Sequence, residues 1–77
     1  MLNQKTIYAL AIRQLTSDQA KQLERADTIL NDRVKAQEAG DTAEAERLGI
    51  KHVQLLEKAQ AIGEELIQLK DAYFNLR

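Results

Sequence analysis

"KAQEAGDTAEAERLG", residues 35–49, interrupts a chain that otherwise reads as helix from end to end. Gly40 follows a run of strong helix formers. It has no Cβ, which suits it to the left-handed residue that ends a helix. Asp41 can then accept a hydrogen bond from the first free amides of a new helix. Glu44, three residues on, makes a D-x-x-E arrangement analogous to a capping box. Glu44 and Glu46 fall in the first turns, at the end of the helix dipole that favours acids. A stop, a cap and a restart within two residues predict a tight antiparallel corner rather than a flexible break.

Downstream of the corner lies the strongest periodic signal. Ala45, Leu48, His52, Leu55, Ala59, Ile62, Leu66, Leu69, Tyr73 and Leu76 advance in unbroken steps of three and four. That is a heptad a/d seam, and it predicts a helix over 42–76. Such a helix is about 52 Å long at 1.5 Å per residue. Val53, Leu56, Ile67 and Phe74 form a second stripe beside the seam. A two-stranded contact needs only one seam, so the wider apolar face predicts more than one neighbour.

Upstream, Leu23, Ala26, Leu30 and Val34, with Ile29 beside them, predict a second helix over 17–39 with a narrow apolar face. Ile7, Tyr8, Ala11, Ile12 and Leu15 share one face of a short N-terminal helix over 4–15. Thr16 with Gln19 fits a T-x-x-Q capping box and Asp18 suits a first turn, so the two are expected to break near Ser17, with one continuous helix as the alternative. Folding about Gly40 and Asp41 places residue i opposite roughly residue 81 − i. Ile29 then meets His52, Leu23 meets Lys58 and Ala59, Leu15 meets Leu66, Ile12 meets Leu69, and Tyr8 meets Tyr73. The fold class expected is an all-α antiparallel helical hairpin in one domain, 1–77, paired with a symmetry mate as a homodimeric helical bundle. The corner "EAGDTAEAERL" resembles the turns of tetratricopeptide-type hairpins, without their repeat.

Composition limits the function classes. Seventy-seven residues form a marginal core alone, and small scaffolds are usually stapled by disulfides, a metal or a partner chain. The chain has no cysteine and one histidine. Disulfides and thiolate metal sites are therefore excluded, and a reducing, cytoplasmic setting is expected. Oligomerisation or exceptionally good helix packing remains as the staple. No apolar run is long enough to span a membrane. The net charge of −1 with 30% charged residues describes a balanced, solvated surface rather than a polyanion-binding one. A helix-turn-helix forced onto "IRQLTSDQAKQLERA" would turn Asp18, Glu24 and Asp27 toward phosphates, beside Lys21 and Arg25, which argues against nucleic acid.

No catalytic, cofactor or metal residues are expected. Glu64 and Glu65 are adjacent, so on a helix they point about 100° apart and cannot form an acid/base dyad. His52 occupies an a position in the seam. It is a candidate for setting register, or for pH sensitivity in the core. Gly49 and Gly63 are 14 residues apart on one face and mark a close helix–helix crossing. Tyr8, Tyr73 and Phe74, gathered at the far end, either close the core or serve, together with the outer stripe of Val53, Leu56 and Ile67, as candidates for a partner's anchor patch. The function expected is a non-enzymatic protein–protein interaction module, a small adaptor, regulator or inhibitor of bacterial or phage type. The alternatives are a structural or scaffolding coiled-coil component and, third, a dimeric nucleic-acid-binding regulator.

Overall fold

The computed structural model describes residues 3–76. Two helices account for nearly all of them: α1, Gln4–Glu38, and α2, Thr42–Asn75. They pack antiparallel as an all-α hairpin, a rod with principal extents of 58 × 18 × 13 Å.

The corner forms as the sequence predicts. Gly40 has φ +77°, in the left-handed region. Its amide donates to the Gln37 carbonyl at 3.1 Å, and the Asp41 amide donates to the Ala36 carbonyl at 2.9 Å. This pair of reverse bonds satisfies carbonyls that the end of α1 would otherwise leave free. Asp41 then caps α2: its carboxylate accepts from the Glu44 amide at 3.1 Å. The reciprocal half of the capping box is absent. Glu44 turns its carboxylate to Arg47, one turn on, and the Asp41 amide is already used by Ala36. At the other end of α1, Asn3 caps the helix by accepting from the Thr6 amide at 2.8 Å.

One expected boundary is absent. The chain does not break into helices over 4–15 and 17–39, because α1 runs straight through Thr16 and Ser17. Thr16 caps nothing. Its hydroxyl donates to the Ile12 carbonyl, a turn back, at 2.7 Å. Asp18 accepts instead from Gln14 on the same helix at 3.0 Å. Serine and threonine tolerate a helix interior at a few tenths of a kcal/mol, so packing along the rod overrides the local cap signal.

The hairpin register matches 81 − i. Gln19 donates to the Ala59 carbonyl at 3.0 Å. The Arg33 guanidinium lies against Gly49, and the Lys5 ammonium sits 5.4 Å from the centre of the Tyr73 ring. Every residue of the α2 seam is buried or half-buried, from Ala45 to Leu76. The buried set among the described residues is small: Ala26, Ala45, Leu48, Leu55, Ala59 and Leu66.

Candidate interaction surface

The inner face of α1 differs from the sequence-based expectation. Leu23, Leu30 and Val34 were expected to face α2, yet all three are exposed. The residues that do face it are Tyr8, Ile12, Leu15, Gln19, Gln22, Ala26, Ile29, Arg33 and Ala36, each buried or half-buried. They step by four and three without a miss, a heptad seam running through the predicted break. Three of them are long polar side chains, and these obscured the pattern. Their burial is imperfectly compensated, since Gln22 Oε1 and Arg33 Nε are buried without a hydrogen-bond partner.

The two mid-helix glycines accommodate those polar chains. A Cβ on Gly49 would lie 3.2 Å from Arg33 Cζ, and one on Gly63 would lie 2.9 Å from Gln19 Nε2. The expected close helix–helix crossing is therefore not found at the glycines: side chains enter the notches, not another backbone.

A second seam runs along each helix. On α1 it comprises Ala9, Arg13, Thr16, Ala20, Leu23, Asp27, Leu30, Val34 and Gln37. On α2 it comprises Glu46, Gly49, Val53, Leu56, Gln60, Gly63, Ile67, Lys70 and Phe74. Both step by three and four, and both lie about 100° round the helix from the inner seam. In an antiparallel pair these flanks fall on the same broad face. The clefts agree: Ala9 and Ile12 share one with Lys70, Tyr73 and Phe74, and Gln37 shares another with Thr42 and Glu46. The other broad face is polar, and there Arg25 shares a cleft with Lys51 and Lys58.

The first broad face is apolar and uncovered. Its large side chains run from 39% exposed at Leu30 to 78% at Phe74. Four charged residues, Arg13, Asp27, Glu46 and Lys70, are spread over its 18 seam positions. The site residues inferred from sequence divide accordingly. Val53, Leu56, Ile67 and Phe74 are exposed on this face, whereas Tyr8 and Tyr73 are half-buried in the inner seam at the end away from the corner. Tyr73 meets Phe74 edge to face, with centroids 5.5 Å apart at 79°. Lys5 covers the Tyr73 ring, a cation–π contact that joins the first turn of α1 to the last of α2. His52 is half-buried in the inner seam, as its a position requires. Sequence reasoning missed Leu23, Leu30 and Val34 as surface partners of Val53 and Leu56. The seam from Tyr8 to Ala36, stepped past its polar members, would have exposed them.

Other features bear on chemistry. Among the described residues, no group of three or more His, Cys, Asp or Glu side chains could hold a metal ion. No helix among them is long and apolar enough to cross a membrane. Compared with protein-family models, with curated proteins and with solved structures, the chain matches none of them.

Proposed function

We propose that this protein is a non-enzymatic interaction module, a small adaptor, regulator or inhibitor that acts by laying a helix face against another protein. The observation that carries the reading is the uncovered apolar face shared by α1 and α2, with Leu23, Leu30, Val53, Leu56, Ile67 and Phe74 all exposed. Soluble monomers rarely leave so continuous a patch without a partner. The clefts on the rod are open and shallow, better shaped to receive side chains of a docking helix than to enclose a small molecule. The cysteine-free sequence fits a reducing, cytoplasmic setting.

Affinity capture from the native host with the immobilised full chain tests the reading. Ile67→Lys is expected to abolish capture, and Lys58→Glu on the polar face to leave it intact. Equal capture by both variants would remove the apolar face from the function.

A scaffolding role is the second reading, and a second seam that runs the length of a 58 Å rod favours it. Nucleic-acid binding has weaker support, because Asp18, Asp32 and Glu65 lie among Arg25, Lys51 and Lys58 on the polar face.

A further inference from the structure

We infer that the apolar face is covered by a second copy of this chain, giving a two-fold four-helix bundle. The inference rests on the reading above and names the occupant of the surface. Three observations support it.

The first is area. A folded monomer of 8.7 kDa exposes roughly 4,700 Å². This hairpin exposes 5922 Å², an excess of about 1,200 Å² over that average. One partner's share of a standard interface is about 800 Å², so covering one broad face removes most of the excess.

The second is angular. Each helix carries two heptad seams about 100° apart. A helix in a two-stranded pair uses one seam, whereas a helix at the corner of a four-helix bundle uses two, facing neighbours at roughly right angles. Both helices here have this second seam on the same side, as a face-to-face pair of hairpins demands.

The third is chemical. A two-fold interface must be complementary to itself. This face is mixed large and small, with Leu56 between Gly49 and Gly63 and Leu23 beside Ala20, and its few charges include both signs. A surface of that kind does not repel its own copy.

Sedimentation equilibrium of the full chain tests the inference. The expected mass is twice the 8.7 kDa of the chain. Leu56→Lys is expected to weaken the dimer by about thirty-fold or more. Lys58→Glu is expected to leave it unchanged. Ile67 is 63% exposed in the single hairpin, so Ile67→Lys is the milder second variant, expected to stay helical at high concentration and to lose the dimer likewise. A fully helical wild-type monomer overturns it, as does a wild-type trimer or larger assembly, or a Leu56→Lys variant as dimeric as wild type. A monomer that still captures a host protein, with capture lost in Ile67→Lys, overturns the second copy and leaves the interaction module standing.

Discussion

At the scale of the residue, the corner and the notches carry separable energies. Gly40 adopts φ +77°, which other L residues reach at a cost of about 1 kcal/mol or more. Gly40→Ala is expected to lower stability by about that amount in urea titration, with Gly40→Asn intermediate. Nothing lies within 4 Å of a Cβ at Gly40, so the penalty is purely conformational. Gly63 behaves differently. Alanine there gains about 1 kcal/mol of helix propensity but displaces the Gln19 amide from the Ala59 carbonyl, a bond of similar size. Gly63→Ala is therefore expected to be near neutral in wild type. In a Gln19→Ala background, with no amide to displace, it is expected to stabilise by about 1 kcal/mol. Glu44 gives a pH signature. The hydrogen bond from Arg47, with its charge, holds the Glu44 carboxyl below its ordinary value. A lowered folded-state value means that the contribution is present above the usual carboxylate range. It is lost as the pH falls through the lowered value. The stability gap between wild type and Glu44→Gln is expected to be small at neutral pH, because the pair is exposed, and to close in acid.

At the scale of the element, α1 and α2 differ in how openly the sequence displays them. The α2 seam is legible because nine of its ten positions are apolar, and all ten are buried or half-buried. The corner is legible because Gly40 and Asp41 satisfy backbone groups by local rules that packing does not override. The α1 inner seam is not legible by hydrophobicity, because Gln19, Gln22 and Arg33 occupy it while Leu23, Leu30 and Val34 stand outside. Register decides between the two faces, not hydrophobic content: pairing by 81 − i against the α2 seam selects the polar one. The same error hid half of the candidate surface, so Val53 and Leu56 were foreseen and their neighbours on α1 were not. The apparent break at Thr16 failed for a related reason, a local cap signal competing with a seam that continues past it. Gln22 offers a test of the element. Its Oε1 is buried without a partner, so Gln22→Leu is expected to stabilise the hairpin by about 1–2 kcal/mol, read as a raised melting temperature.

At the scale of the whole molecule, the rod is 13 Å across its thinnest dimension and has no deep interior. Among the described residues six are buried, three of them alanine, and no large side chain is fully sequestered. Such a core supplies few kcal/mol against the entropy of ordering two long helices. The melting temperature is therefore expected to rise with protein concentration, as mass action requires when folding and association are coupled. Differential scanning calorimetry at several concentrations measures this, and an invariant melting temperature would remove the coupling. The two-residue corner has a further consequence, in folding order. All tertiary contacts are nested around Gly40 and Asp41, so the shortest loops close first and each closed layer shortens the next. The hairpin thus zips outward from the turn. The layer of Lys5, Tyr73 and Phe74 joins last and opens first, leaving the aromatic end as the part of the rod whose amides exchange soonest with solvent.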